Sequence, residues 1–376
     1  VLGNALISQV AIHAQYGGVF PNLAKREHAK NLVPLLERVL QQCSNPCQGD
    51  ALTKTTTEEL RGLLAREPEL HEKLIVFLQK YAKPEIDAIA VTVGPGLEPA
   101  LWVGINFARA LSAVWNVPVV AVNHMEGHMV IALLRDDKGI REQVLGNSGV
   151  QTIPYTLYPT TYPMLSLLIS GGHTELVLSK KFLDYQILVA TRDDAVGEAF
   201  DKVARLLGLP YPGGATLSGL AEQARKSIEM TSQWKLPRPM IRDDTLDFSF
   251  AGLKTAVRKT VEANSPLTEE MKLSIAREFE DAVTDVLVEK TMKAMDEYGI
   301  QTVVVGGGVS ANSHIRAELT TRLSSVNCKL LIPPPELATD NALMIALAGY
   351  FRAAKNEFAD LSTLCADGNL RLGKSP

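Results

Sequence analysis

Apolar positions at helical spacing, among them Leu32, Leu35, Leu36 and Val39, predict packing helices over residues 27–43 and 57–81. The texture changes at Ile86. Asp87-Ala-Ile-Ala-Val-Thr-Val93 is a short β-rich run, followed by Gly94-Pro95-Gly96 and a helical pattern from Pro99 to Trp115. A second short strand, Val117 to Val122, leads into a helix that starts near Asn123. Strand, loop, helix, strand, helix is the order of α/β units.

Residues 136–163 interrupt that order with glycines, acidic residues and prolines at 154, 159 and 163, and read as a surface insertion near a lobe boundary. Beyond it, Met164 to Ser170 and Glu175 to Leu178 flank Gly171-Gly172-His173-Thr174, the pattern of a hairpin with a glycine turn. Helices are predicted over 194–208, 215–229, 250–262 and 268–298. Thr302-Val-Val-Val305 is a buried-type strand that runs into Gly306-Gly-Gly308 and a helix from about Asn312. A strand from Lys329 to Ile332 precedes a last helix from about Asp340 to Lys355. No short-period repeat interrupts this layout.

At 376 residues the chain is too long for one ordinary core and divides most simply into two lobes. Hydrophobic residues at 46% and charged residues at 21% match soluble globular chains and disfavour disorder, collagen and coiled coil. With Lys+Arg 38 against Asp+Glu 42, the net charge of −4 supplies no global positive field, so any RNA contact must use a local patch. There is no apolar run of the roughly 18 residues a membrane helix needs and no secretory-type start, so a soluble chain is expected. Cys43, Cys47, Cys328 and Cys365 are too sparse for a disulfide framework, which points to a reducing compartment. Cys43 and Cys47 flank a Ser-Asn-Pro loop, and without a second pair they read as loop cysteines rather than a metal site or bridge.

The sharpest chemical feature is His124-Met-Glu-Gly-His128. Histidines at i and i+4 share a helix face and can hold one metal ion; the bland alternative is a solvated face. Asn123 follows a strand and is a good N-cap, which puts the pair on a first helical turn at the C-terminal end of a strand, where α/β sheets carry ligands. The metallopeptidase order H-E-x-x-H differs. Here Glu126 lies two residues from each histidine, about 200° round the helix. It faces away from the pair and suits a capping box with Asn123 instead. Asp340 is the carboxylate best suited as third ligand, although its position before an apolar helix also makes it a natural N-cap.

Glycine loops argue for phosphate. Gly94-Pro95-Gly96, Ser170-Gly171-Gly172-His173-Thr174, Tyr211-Pro-Gly213-Gly214 and Gly306-Gly307-Gly308 leave backbone N–H groups unshielded, and two of them open helices. Gly306-x-Gly308-x-x-Ala311 fits a relaxed dinucleotide fingerprint but lacks the acidic residue that should end a later strand. The G-x-S-x-G elbow and the kinase signature set are absent from the sequence. Asp201, on the same predicted helix face as Glu198, can accept from ribose hydroxyls or simply favour the helix dipole. Lys235, Arg238, Arg242, Lys254, Arg258 and Lys259, flanked by Trp234 and Phe248, can hold an RNA backbone or form a solvated face, since Asp243, Asp244 and Asp247 interleave them.

Taken in order, Gly94-Pro-Gly96, His124-Met-Glu-Gly-His128, Ser170-Gly-Gly-His-Thr174, Gly197-Glu-Ala-Phe-Asp-Lys202, Tyr211-Pro-Gly-Gly214, Asp247-Phe-Ser-Phe-Ala-Gly-Leu-Lys254, Gly307-Gly-Val-Ser-Ala-Asn312 and Thr339-Asp-Asn341 resemble the TsaD family. These are tRNA threonylcarbamoyladenosine synthases, once described as O-sialoglycoprotein endopeptidases. The resemblance implies an α/β, actin/Hsp70/sugar-kinase-like fold of two lobes with ribonuclease-H-like mixed sheets and a ligand in the cleft. It divides the chain into a first lobe, 1–163, completed by 340–376, and a nucleotide-binding second lobe, 164–339.

It also implies transfer of threonylcarbamoyl from threonylcarbamoyl-adenylate to N6 of adenosine 37 in tRNAs reading codons that begin with A, with release of AMP. By resemblance, His124, His128 and Asp340 match the ligands of one divalent metal, iron or zinc, and Leu168, Ile169, Ser170, Gly171, Gly172, Asp201, Gly214 and Asn312 match residues that bind the adenylate, or ATP or AMP. No protein nucleophile is required. The implied partners are tRNA, a threonylcarbamoyl-adenylate synthase and a second copy or paralogue in a dimer, with no membrane.

Two features depart from the family. The first hairpin, with its I-E-T-S-C-D-type phosphate loop, has no counterpart: the chain opens at Val1-Leu-Gly-Asn-Ala-Leu-Ile-Ser-Gln-Val10, which resembles the strand after it, so a truncated or incomplete polypeptide is expected. The 136–163 insertion is longer than in bacterial members. Bacterial-type motifs with a eukaryotic-type insertion suggest a mitochondrial member without its targeting segment, or else a cytoplasmic one. Two other readings stand beside the transferase: a nucleotide-binding ATPase or regulatory module of the same fold, and a metallopeptidase.

Overall fold

The computed structural model of the chain describes residues 2–43, 53–136, 155–227 and 234–373. Cys47 and most of the predicted insertion, residues 137–154, lie outside the described residues. The chain runs α1 (Val10–Ala14), α2 (Pro21–Cys43), α3 (Lys54–Leu63), α4 (Pro68–Lys80), β1 (Ile89–Gly94), α5 (Glu98–Trp115), β2 (Val119–Asn123), α6 (His124–Ile131), β3 (Leu134–Asp136) and β4 (Tyr155–Leu157). It continues through β5 (Met164–Ile169), β6 (Thr174–Lys181), β7 (Asp184–Ala190), α7 (Val196–Leu206), α8 (Gly213–Lys226), α9 (Ala251–Ala263) and α10 (Glu269–Tyr298). Last come β8 (Thr302–Gly306), a 3-10 turn (Gly308–Ala311), α11 (Ser313–Ser325), β9 (Lys329–Leu331), α12 (Pro335–Ala338) and α13 (Ala342–Ala353).

A five-stranded sheet in the order β7-β6-β5-β8-β9 organises the second half. Strands β7, β6 and β5 are antiparallel neighbours, while β5, β8 and β9 run parallel, which gives the mixed sheet and α/β class expected of an actin/Hsp70/sugar-kinase-like fold. Its central strands are buried on both faces, which explains their unbroken apolar sequences. Leu165, Leu167, Ile169, Val303 and Val305 pack beneath helices α7, α8 and α10, with Phe200 and Phe279 edge to face at 5.1 Å. Met164 and Val304 face the other way, onto Val120, Val130 and Ile131 of the first half and Met344 of α13.

The first sheet is smaller and, against expectation, not mixed: among the described residues it consists of parallel strands β1 and β2, joined by α5. Helices α2 to α5 enclose a core of Leu60, Leu74, Phe77, Phe107 and Trp115. Helix α13 covers the sheet so closely that a Cβ on Gly349 would stand 2.4 Å from the Ala90 Cβ. Residues 357–373 then return across it, with Ala359 N donating to Val119 O at 2.8 Å and Asp367 N to Val93 O at 2.9 Å. Among the described residues, no helix is long and apolar enough to cross a membrane.

Several elements differ from the sequence expectation for local reasons. The pattern over 57–81 is two helices, because Pro68 opens α4 at its first turn. The opening segment is not a strand: residues 2–9 form neither helix nor strand, and among the described residues no segment pairs with them. Strand β7 was not expected, because its alternation is weak, with Val189 its one buried side chain.

Candidate metal and nucleotide site

Strand β2 ends at Asn123, and the same residue starts α6. Its side chain accepts from Met125 N at 2.9 Å and Glu126 N at 3.4 Å, the predicted N-cap. This junction presents both imidazoles on one face. His128 is fully buried and His124 half-buried, their rings 4.8 Å apart and nearly perpendicular.

Asp340 meets them from the far end of the chain. Its Oδ1 lies 3.3 Å from His124 Nε2 and 3.1 Å from His128 Nε2, and the ligand atoms of the three residues fall within 4.8 Å of one another. The capping alternative for Asp340 does not hold: Asn341 caps α13, accepting from Met344 N at 2.9 Å, which leaves the aspartate free to face the imidazoles. Burial works against the charged form of Asp340, but hydrogen bonds and charge from both histidines hold its carboxyl well below the usual carboxylate range. The carboxyl is ringed by neighbouring groups, yet solvent still reaches 77% of its side chain, so water screens part of that effect.

Glu126 points the opposite way, as the helix angle requires, but the capping box with Asn123 is not formed. Its carboxylate is fully buried and takes hydrogen bonds from Arg352 on α13. A glutamate so engaged is no base for a metal-bound water, which removes the peptidase reading.

Two of the four glycine loops, at the β5–β6 turn and after β8, lie beside the histidine helix, whereas Gly94 packs against Asp367 and Leu370. At the β5–β6 turn, Ser170 N donates to His173 O at 2.9 Å, and Ser170 Oγ accepts from His173 N at 3.1 Å and Gly172 N at 3.4 Å. A Cβ on Gly171 or Gly172 would meet nothing within 4 Å, so this backbone is open to a ligand. Gly307, at φ +93°, crosses so near Ile169 that a Cβ would stand 2.4 Å from its carbonyl oxygen, and a Cβ on Gly306 would stand 2.5 Å from His128 O. The β8 loop is thus wedged between the histidine helix and the end of β5. Leu168 and Ile169 are fully buried, main chain included.

From this turn a continuous chain of contacts reaches the other expected residues. Gly197 N, on α7, donates to Ser170 O at 3.2 Å. One turn further along α7, Asp201 Oδ1 accepts from Gly213 N at 2.9 Å and Gly214 N at 3.0 Å, capping α8. Its role in this structure is therefore tying the Tyr211–Gly214 loop to α7. Asn312 caps α11 through Ile315 N at 2.9 Å, and its amide donates to Ser218 Oγ at 2.8 Å and Glu280 Oε1 at 2.5 Å. Leu168 to Gly172 lie beside the histidine helix, whereas Asp201, Gly214 and Asn312 lie one and two helices removed from that turn.

One residue quoted in the Ser-Gly-Gly-His-Thr run had no role assigned from sequence. His173 is half-buried, and burial, then the charges of His124 and His128, push its imidazole below the ordinary range. It sits in the hairpin turn near enough to the histidine pair to feel its charge, a placement no local periodicity reveals. The basic cluster proves largely spent on ion pairs. Arg238 binds Glu278 and Asp285, Lys254 lies 2.8 Å from Asp194, and Arg258 is 3.8 Å from Glu262. Lys235, Arg242 and Lys259 are exposed. Three of the six cations are thus engaged by carboxylates and three face solvent.

Behind Asn312, Arg225 bridges Glu280 and Asp281 at 2.5 Å each, and His314 Nε2 lies 3.0 Å from Asp281. Burial opposes the Asp281 charge, yet these partners lower its pKa from 3.8 to about 2. The stabilisation is present above the unfolded pKa near 3.9 and is lost as pH falls through about 2. Asp281→Asn is expected to cost about 1–2 kcal/mol at pH 7 and to flatten the acid limb of stability between pH ~4 and ~2, as read by thermal unfolding against pH. An unchanged acid limb would exclude this network as its source.

Residues 1–50, 77–149 and 148–347 match the family described as TsaD: tRNA N6-adenosine threonylcarbamoyltransferase. A tRNA N6-adenosine threonylcarbamoyltransferase of Chromobacterium violaceum is 39% identical over 356 residues, covering 94% of this chain and 86% of the relative. Among solved structures, full-length HypF in its phosphate- and nucleotide-bound form gives a TM-score of 0.48 at 13% identity, over 77% of this chain and 42% of that one. HypF of T. kodakarensis gives 0.48 at 12%, over 76% and 43%. The chain thus spans less than half the length of those two proteins. With a match that runs through both sheets and a relative aligned over nearly all of its length, the chain belongs to the tRNA N6-adenosine threonylcarbamoyltransferases and is a transferase that makes threonylcarbamoyladenosine in tRNA.

Proposed function

We propose that the donor is threonylcarbamoyl-adenylate, that the acceptor is N6 of adenosine 37 in tRNAs reading codons beginning with A, and that the reaction is assisted by one metal ion at His124, His128 and Asp340. The observation that carries this reading is the convergence of two imidazole nitrogens and a carboxylate oxygen on one point from segments about 212 positions apart. Two nitrogen donors and one oxygen, all from one side, suit zinc or iron and leave positions open for substrate. A metal held there supplies a Lewis acid for the phosphate or carbamoyl oxygen.

The remaining work falls to the chain itself. The backbone of Gly171 and Gly172, beside the histidine helix and unshielded by side chains, is placed for close approach of phosphate oxygens. The N6 amine attacks the carbamoyl carbon, the mixed anhydride C–O bond breaks, AMP leaves with the electron pair, and the amine gives up one proton. Amide donors fixed before reaction favour the charge that gathers on the leaving phosphate. Asp201, Gly214 and Asn312, linked through α7 and α8, form the nucleoside side of this reading, and a threonylcarbamoyl-adenylate synthase is the partner that supplies the donor.

Purified protein given synthetic threonylcarbamoyl-adenylate and unmodified tRNA, with no ATP and no synthase, is expected to yield threonylcarbamoyladenosine by mass spectrometry of tRNA digests. His124→Ala should lose at least ~100-fold of that product, more than outer-shell changes at metal sites usually cost. Equal yield from the variant would move the chemistry away from this point.

A further inference from the structure

Glu126 stands between the two histidines in sequence and about 200° from them around α6. It is fully buried. Arg352, near the C-terminal end of α13, donates from Nε to Glu126 Oε1 at 2.9 Å and to Oε2 at 3.1 Å, and its Nη2 also reaches Oε2. Arg352 Nη1 donates to Glu357 Oε2 at 2.6 Å, which fixes the guanidinium from its other edge. The N-terminal end of α13 follows directly on Asp340 and Asn341. Between the two ends, a Cβ on Gly127 would stand 3.1 Å from Met344 Cγ and 3.1 Å from Ile345 Cδ1, so the helices touch along their length.

Two helices in such contact can still roll about their axes, and a roll of α6 would swing the imidazoles off Asp340. A bidentate guanidinium–carboxylate pair has a fixed planar geometry and resists that roll. We propose that Glu126 and Arg352 are positioning residues: their buried pair is a rotational clamp that turns His124 and His128 toward Asp340. This rests on the metal reading above. Buried ion pairs are a weak source of stability but can fix one arrangement among several, and here the arrangement is the one the ligand set needs.

The test uses the full chain and Co2+ as probe. Glu126→Gln, Arg352→Lys and the apolar double variant Glu126→Leu/Arg352→Met are titrated with Co2+ at a temperature where circular dichroism shows each one folded, and the visible ligand-field bands are recorded. The clamp predicts a Co2+ affinity lowered about 10–100-fold with shifted bands in Glu126→Gln and in the double variant, and a smaller loss in Arg352→Lys, which keeps the charge. The double variant fills the site without a buried unpaired charge, so it serves if Glu126→Gln does not fold. Wild-type affinity and bands in the double variant would overturn the clamp while leaving the metal reading intact. Failure of the unmodified protein to bind Co2+ would overturn the metal reading and the clamp with it.

Discussion

Asp340→Asn is expected to leave the protein folded and to lower threonylcarbamoyladenosine formation by at least ~100-fold, together with loss of bound metal. The carboxylate Oδ1 is the point at which both imidazole nitrogens meet, at 3.3 and 3.1 Å. An asparagine keeps the size but removes the negative charge, and with it the anionic ligand that a divalent cation needs beside two neutral ones. Outer partners of metal ligands already cost roughly 10–100-fold, so losing a direct ligand should exceed that range. The α13 cap, Asn341, is untouched, so any loss of stability should come from the two imidazole contacts alone. Metal content by mass spectrometry, product formation and thermal unfolding read the three effects separately. Full activity with full metal content would show that Asp340 is not a ligand.

The second large effect is expected at Gly306. An alanine there would put its Cβ 2.5 Å from His128 O, 3.0 Å from the His128 carbonyl carbon and 3.3 Å from its Cβ. The neighbour is backbone inside a buried helix and cannot rotate aside. Either β8 or α6 must move, at an overpacking cost of about 1–3 kcal/mol, and a moved α6 carries its imidazoles away from Asp340. Gly306→Ala should therefore lower both the melting temperature and metal affinity. Gly171→Ala is the control: its Cβ meets open space, so the unliganded protein should keep its melting temperature while nucleotide binding weakens. Equal melting temperatures for Gly306→Ala and the unmodified protein would contradict the close approach of β8 to α6.

How far the sequence could be read depends on the reach of each signal. The i, i+4 histidines, the Asn123 cap and the outward angle of Glu126 follow from helix period alone, and they are found as expected. The β5–β6 hairpin was legible because a glycine turn separates two apolar runs. Whether Asp340 caps a helix or faces the histidines could not be decided locally, since Asp340 and Asn341 are adjacent and either side chain can cap; the fold assigns that task to Asn341. Arg352 gave no signal at all, being 226 positions from Glu126 and an ordinary last-turn cation on its own helix. The pairing within the basic cluster was hidden for the converse reason. Its charges are visible in sequence, whereas Glu278, Asp285 and Asp194, which engage several of them, come from other segments.

The returning segment 357–373 has a consequence for biosynthesis. Leu364 and Leu370 fill the same apolar cluster as Val93, Ile105 and Val119, and Leu372 reaches Met125 and Leu168. A ribosome delivers β1, α5 and β2 early, some two hundred codons before the residues that seal them. The five-stranded sheet, by contrast, has its last strand by Leu331. During translation the face of the first sheet should therefore be sealed last, after the five-stranded sheet has all its strands, although the α2–α5 core is complete by Trp115.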